Sequence, residues 1–236
     1  MTLFRIFLEK VSEIIHLSDR EILNHISARR LSVNDEVIIC DKEGYSYKYR
    51  IKEKKCNSVI LEMIEPIDFL PPVRKVVYAQ SLLKPRKLEP IISYGTQLGV
   101  ESFVLFISRR SSFKEIDAVR ERIGRLKKLA ASSAEISMNR IPEIYVIPDI
   151  TSVLEKFSIY KPVLLYENAQ ERLNLDWLKK NNLENMLVIV GPEGGFEGEE
   201  VETVRKSGGS ILSLGDRIVT SEVAGFIALS LIQFGV

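Results

Sequence analysis

The sequence predicts an α/β protein, with a mostly parallel sheet covered on both sides and a small β-rich domain ahead of it. Three observations carry that expectation. After Pro72, apolar β-rich runs alternate with helical patterns through to the end of the chain. Those runs (SFVLFI, KPVLLY, LVIV) are apolar at consecutive positions, as strands buried on both faces must be. Ahead of them, PIDFLPP, Pro66 to Pro72, places three prolines in seven residues, which removes backbone donors and holds the chain extended. The domains are therefore set at 1–70 and 71–236.

In the first domain VIIC, a DKEG turn, YSYKYRIKEK and SVILEMI read as short strands and their punctuation. In the second, VVYAQSLL is a strand, a helix runs around Glu89 to Leu98, SFVLFI is a strand and Lys114 to Ala134 a long helix. EIYVI, KPVLLY and LVIV follow as strands, then a helix from Glu199 to Ser207, the strand SILSL, and a closing helix from about Ser221. LNLDWLKK has the pattern of an amphipathic helix anchored by Trp177. There is no internal repeat and no low-complexity segment.

Composition narrows the function classes. The chain has 236 residues, 45% hydrophobic and 28% charged, enough for one large or two modest cores. No apolar run approaches the roughly 18 to 20 residues a bilayer span needs, and MTLFRIFLEKVSE lacks the layout of a secretory signal, so a cytoplasmic protein with no membrane partner is expected. Cys40 and Cys56, with His16 and His25, have neither metal-ligand spacing nor the numbers for a disulfide framework; two reduced structural thiols and no metal are expected. A net charge of +1 gives no global case for a polyanionic partner, so any such case rests on local clusters.

The segment with most chemical content is VIVGPEGGFEGEE, Val188 to Glu200, an apolar strand running into glycines and then acids. In parallel sheets ligands sit beyond the C-terminal strand ends, and glycines there let backbone approach a ligand. Neither G-x-G-x-x-G nor G-x-x-x-x-G-K-[ST] is present, and Glu193, Glu197, Glu199 and Glu200 put negative charge where a phosphate would need positive, so a phosphate loop is excluded. Those acids suit a helix N-terminus and tolerate a cationic ligand. SILSLGDRI, Ser210 to Ile218, repeats the layout one helix later, and two such loops on successive strands point to a pocket rather than to an isolated tight turn.

LVIVGPEGGFEGEEVETV followed by SLGDRIVTSEVAG resembles the signature of the bacterial small-subunit (16S) ribosomal RNA uridine-N3 methyltransferases, of the trefoil-knotted SPOUT class that uses S-adenosylmethionine. FRIF and His25 with ARRLSVNDEV are similar to that family's opening, and YAQSLLK, TQLGV and SRRSSF to segments of its second domain. The resemblance implies a PUA-like β-barrel in front of a knotted α/β domain, and a homodimer with the pocket near the subunit interface. It implies a cofactor bent between three loops, here Leu165, Tyr166 and Glu167; Val190, Gly191, Pro192, Glu193 and Gly195; and Leu214, Gly215, Ile218 and Val219. Its RNA partner is small-subunit ribosomal RNA or the assembled subunit.

The chain departs from the family pattern in places. Thr220 stands where the family has a second arginine, Tyr94 and Gln97 replace a lysine and a glutamate, and AEISMNR, Ala134 to Arg140, replaces Glu-Gln-Ser-Gly-Arg. A threonine cannot supply the planar cation of an arginine. These losses keep open a related enzyme with a shifted RNA target, and a catalytically silent RNA-binding paralogue.

Lys48, Arg50, Lys52 and Lys54 alternate along one strand, so they share a face opposite Tyr47, Tyr49 and Ile51; that stripe is either RNA-facing or a solvated outer face. Arg109 and Arg110, at a strand end on the ligand side, are better RNA candidates, with His25, Arg29, Arg30 and Lys84 completing the set. A lone histidine in a short helical turn, as His25 is, is more often a packing or capping residue than an RNA contact. For catalysis the candidates are Arg217, to stabilise charge on a uracil oxygen, and Glu222, which matches the family's glutamate and could take the N3 proton. Glu222 also has a plain structural reading, an acid in the first turn of the closing helix.

Overall fold

In the computed structural model, which describes residues 4–8, 10–41, 45–67, 74–137 and 139–235, the chain divides into units spanning 1–71 and 72–236. Most of the proline-rich segment, the tip of the DKEG turn and Met138 lie outside the described residues.

The first unit holds β1 (Phe4–Phe7), β2 (Ile14–Leu17), α1 (Arg20–Ala28), β3 (Glu36–Cys40), β4 (Ser46–Lys55) and β5 (Ser58–Ile67). They form a five-stranded sheet ordered β1-β3-β4-β5-β2, antiparallel except for the β1/β3 pair. Alternate positions of these strands, among them Ile6, Val37, Ile39, Tyr49, Ile51 and Leu61, close over Ile26 of α1 as one core. Helix α1 starts where the Asp19 carboxylate accepts from the backbone N–H of Glu21 and Ile22. β1 and β2 stand at opposite ends of the strand order and share no ladder among the described residues.

The second unit runs β6 (Lys75–Ser81), α2 (Pro85–Gln97), β7 (Ser102–Phe106), α3 (Ile116–Ser137), β8 (Glu143–Ile147), α4 (Ile150–Lys156) and β9 (Lys161–Leu165). It continues with β10 (Glu171–Arg172), α5 (Leu175–Asn181), β11 (Asn185–Val190), α6 (Gly198–Lys206), β12 (Ser210–Ser213) and α7 (Ser221–Phe234). The strands form a seven-stranded sheet, β10-β12-β9-β11-β6-β7-β8, in which every pairing is parallel. The α/β class and its parallel sheet are therefore as the apolar runs predict. Helix α2 begins at Pro85, four residues before the expected Glu89, because proline suits the first helical position. Helix α4 has no counterpart in the sequence reading: ITSVLEK is two turns long, too short to show a period, and is set by the Asp149 cap on the Ser152 N–H.

Period-two alternation splits this sheet's side chains between two cores. Tyr78, Phe103, Leu105, Met186, Val188 and Val163 point to the face that packs α2, α3, α5 and α7. Their neighbours Val77, Ala79, Val104, Phe106, Leu187, Ile189 and Leu164 point to the face that packs α4 and α6. Helix α7 is held at its end by Arg74, whose buried guanidinium donates to the carbonyls of Ile232 and Leu183 at 2.8 and 3.1 Å, a cation on a helix C-terminus. Midway, α7 comes so close to β6 that a Cβ on Gly225 would lie 1.8 Å from the Tyr78 hydroxyl.

Two helical glycines thus make opposite predictions. Gly225→Ala overpacks the α7/β6 contact and should lower unfolding stability by about 1 to 3 kcal/mol. Gly124→Ala in α3, where a Cβ meets nothing within 4 Å, should raise it by about 0.5 to 1 kcal/mol. Guanidinium unfolding of the two variants checks both signs.

Candidate active site

Strands β12, β9, β11 and β6 are adjacent and parallel, so their C-terminal ends share one edge of the sheet: Leu212 lies opposite Leu165, Leu164 opposite Ile189, and Val190 opposite Gln80. The three loops expected to form a pocket, after Leu165, Val190 and Ser213, therefore emerge side by side. The Tyr166 N–H donates to the Leu212 carbonyl at 2.9 Å and ties the first loop to the third strand.

The middle loop is a tight turn, with the Gly195 N–H donating to the Pro192 carbonyl at 3.0 Å. Gly195 has φ +68°, and a Cβ there would also lie 3.1 Å from the Glu167 carboxylate of the first loop, so only glycine serves both needs. In the third loop Gly215 has φ +109°, and Asp216 pairs with Arg172 of β10. Ile218 is 91% exposed and Val219 borders on exposed, while the backbone of Gly215 to Val219 makes no hydrogen bond among the described residues. Apolar side chains and free amides together leave this loop able to receive a ligand with a polar rim and an apolar body.

Beneath the middle loop lies a buried polar knot of side chains. The Gln80 amide nitrogen donates to the Gly191 carbonyl at 3.1 Å and to the Ser221 hydroxyl at 2.9 Å, and its oxygen accepts from the Tyr78 hydroxyl at 2.9 Å. The Ser221 hydroxyl donates in turn to the Gly191 carbonyl at 2.5 Å. Burial pushes the Tyr78 phenol far above its ordinary range, so it remains a donor. Gln80 and Ser221 were not among the expected site residues.

The acids after the glycines have structural partners. Glu200, 5% exposed, accepts from the Glu197 N–H at the start of α6 and from the Arg109 N–H, at 3.0 and 3.1 Å. The Arg109 guanidinium pairs with Glu199 at 2.6 Å and Glu197 at 3.4 Å, and Arg110 reaches Glu197 at 3.8 Å and the Gly194 carbonyl at 3.4 Å. Glu199 and then Glu197 hold Arg109 firmly charged. The two expected RNA arginines thus lie beside the middle loop, already engaged with its acids.

The other expected RNA contacts fall in different settings. Lys84 is the exposed residue just before α2. In the first unit Arg29 places its guanidinium 4.3 Å over the Phe4 ring and His25 lies 6.1 Å from that ring, with Arg30 exposed at φ 56°. The stripe on β4 is largely neutralised across the ladder to β5: Lys48 pairs with Glu65 at 2.8 Å and Lys52 with Glu62 at 2.7 Å. Lys54 caps the Leu31 carbonyl, and Arg50 is exposed but in register with Glu36 and Glu62. Sequence spacing along β4 cannot reveal these acids, which come from the partner strands.

Of the two catalytic candidates, Arg217 is exposed on the third loop and forms no ion pair among the described residues. Glu222 lies in the first turn of α7, its side chain 16% exposed, with Oε1 3.2 Å from the Lys87 ammonium and Oε2 buried without a partner. Lys87 also bonds Glu193 of the middle loop at 3.1 Å. Lys87 was missed because the helix was expected to start two residues after it. Among the described residues no group of acids, cysteines and histidines is placed to hold a metal ion, and no helix is long and apolar enough to cross a membrane.

Burial pushes the Glu193 carboxyl up, but its own backbone N–H and Lys87 outweigh that and hold it below the usual carboxylate value. A depressed carboxyl stabilises the fold above its unfolded-state value, and that contribution fades as pH falls through the folded value. Lys87→Met should therefore move the Glu193 midpoint upward in a carboxylate NMR titration; an unmoved midpoint would show that the pair does not form in solution.

Comparison with known proteins agrees with this geometry. A model of the RNA methyltransferase domain matches residues 70–233, and one of the RNA methyltransferase PUA domain matches residues 17–64. The ribosomal RNA small subunit methyltransferase E of Mesomycoplasma hyopneumoniae is 28% identical over 97% of this chain and 98% of its own, and that of Bacillus subtilis 29% identical over 92% and 89%. A crystal structure of the Neisseria gonorrhoeae ribosomal RNA small subunit methyltransferase E bound to S-adenosyl methionine superposes with TM-score 0.85 at 20% identity, over 98% of this chain and 97% of that one. With the domain match extending over most of the sequence and nearly the whole of the parallel sheet with its three loops, this chain belongs to the RNA methyltransferase family.

Proposed function

We propose that this chain transfers a methyl group from S-adenosylmethionine to N3 of a uridine in small-subunit ribosomal RNA. The observation that carries the reading is the row of three loops at the C-terminal edge of β9, β11 and β12, in a chain whose near full-length relatives are named ribosomal RNA small subunit methyltransferase E. The residues present fit the cofactor: Gly195 and Gly215 keep Cβ atoms out of the cradle, and acids at its rim suit a sulfonium cation. Leu165 to Glu167, Val190 to Gly195 and Leu214 to Val219 would hold it.

When bound in these loops, S-adenosylmethionine would supply an electrophilic methyl group, and its transfer to N3 would break the S–C bond and leave a neutral thioether. The protein's share is then positioning, stabilisation of the uracil oxygens, and acceptance of the N3 proton. Arg217, in no ion pair among the described residues, would face the uracil oxygen, and Glu222 would take the proton. Because N3 lies on the pairing edge, the uridine must enter unpaired or flipped. Arg109, Arg110 and Lys84 would meet RNA phosphates beside the pocket, the arginines exchanging Glu197 and Glu199 for phosphate, while on the first unit His25, Arg29 and Arg30 would be RNA contacts of their own.

Three architectural readings accompany this one. Helix α7 leaves β12, at the far side of β9, yet packs against α2 and β11, a return path that supports a trefoil knot. Exposed Ile218, Val223, Ile227 and Phe234 along the third loop and α7 support a homodimer. The five-stranded unit, taken as domain 1–70 ahead of 71–236, would be a PUA-like barrel. A ribosomal RNA substrate would place the enzyme in the cytoplasm.

Methyl transfer from labelled cofactor to small subunits lacking the modification, read by nucleoside mass spectrometry, should yield N3-methyluridine. Cofactor binding without label would redirect the search to other RNAs, and no cofactor binding would leave an RNA-binding protein. Gly195→Val, which drives a branched side chain toward Glu167, should weaken cofactor binding about tenfold or more in calorimetry.

A further inference from the structure

We propose that Lys87 is a positioning residue for methyl transfer: it anchors Glu222 by one carboxylate oxygen and leaves the other free to accept the N3 proton. The inference rests on the function proposed above and concerns a residue that sequence reading did not reach. Lys87 Nζ lies 3.2 Å from Glu222 Oε1 and 3.1 Å from Glu193 Oε1, so one ammonium joins the middle loop to the start of α7.

Its placement is costly by itself. Lys87 stands in the first turn of α2, where the helix dipole disfavours a cation, and Pro85 fixes where that turn begins. Two carboxylates offset this only if they are held within reach. For Glu222 that is done from below, because the Ser221 hydroxyl is bonded to the Gly191 carbonyl and the Gln80 amide, which sets the backbone of α7 at this point. Lys87 then sets the side chain. The groups facing the carboxylate are Lys87 from α2, Glu193 from the middle loop, and from β6 Tyr78, whose hydroxyl is committed to Gln80. No donor among the described residues reaches Oε2. A carboxylate with one oxygen held by a cation and the other shielded from water, with no donor from the described residues, is set to take a proton from a uracil seated against it. In the step proposed, the N3–H proton passes to Oε2 as N3 takes the methyl, and the acid so formed returns it to water when product leaves.

The test uses the full-length protein, with Lys87→Met, Lys87→Arg, Glu222→Gln and the Lys87→Met/Glu222→Gln double variant, in the small-subunit assay. Lys87→Met should lower kcat about tenfold or more, with KM for the subunit and cofactor affinity changed by less than about threefold, and Lys87→Arg should recover most of the loss. The double variant should be no slower than Glu222→Gln alone, since both changes disable one device. An unchanged kcat for Lys87→Met, a loss confined to cofactor affinity, or additive effects in the double variant would overturn the proposal. Wild-type protein that methylates nothing in the subunit would sink the function it rests on, and this with it; active wild type with equally active Lys87→Met sinks the role of Lys87 alone.

Discussion

The side-chain amide of Gln80 is the constraint on which the arrangement of the site depends. It sits at the C-terminal edge of β6, wholly buried, and its partners come from three parts of the chain: Tyr78 on its own strand, Gly191 in the loop after β11, and Ser221 at the start of α7. Each polar group would cost roughly 1 to 3 kcal/mol if buried unpaired, so none can shift without the others following. The first residue of the glycine loop and the first turn of the closing helix are thereby locked to the sheet. The far end of the same loop, at Gly195, is shaped instead by a turn and by the neighbouring Glu167.

Charge is distributed around this hub in two unlike ways. At the start of α6 the acids agree with the helix dipole and also hold Arg109 and Arg110, so the glycine loop is braced by its own electrostatics. At the start of α2 Lys84 and Lys87 oppose the dipole, and Lys87 is retained through Glu193 and Glu222. Lys87 is thus a charge placed against its local preference, and the carboxylate it meets has an oxygen, Glu222 Oε2, with no partner among the described residues.

The two cores explain why the site edge is rigid enough to matter. Because strands β6, β7, β9 and β11 are apolar on both faces, helices cover both sides of the sheet along them, and their residues are buried apart from Lys75, Lys161 and Asn185 at the N-terminal ends. The ends therefore inherit the register of the ladder, and three loops far apart in sequence are delivered to adjacent positions.

Much of this was legible in the residues. Consecutive apolar positions in SFVLFI and LVIV announce a sheet buried on both faces, and the glycines of GPEGG and Leu214-Gly215 announce backbone exposed at strand ends, because both signals are local. What the chain brings together from a distance was not legible. Glu62 and Glu65 neutralise the stripe of Lys48 and Lys52, Glu197 and Glu199 occupy Arg109 and Arg110, and Lys87 meets Glu222 only because α7 returns to lie against α2. The sequence by itself determined most elements of the second unit, the parallel sheet and the glycine loops, since those follow from burial and backbone freedom within a few residues. The tertiary structure alone decided which charges are spent on one another and which carboxylate oxygen is left bare, since Coulomb and hydrogen-bond energies depend on distances that no local pattern encodes.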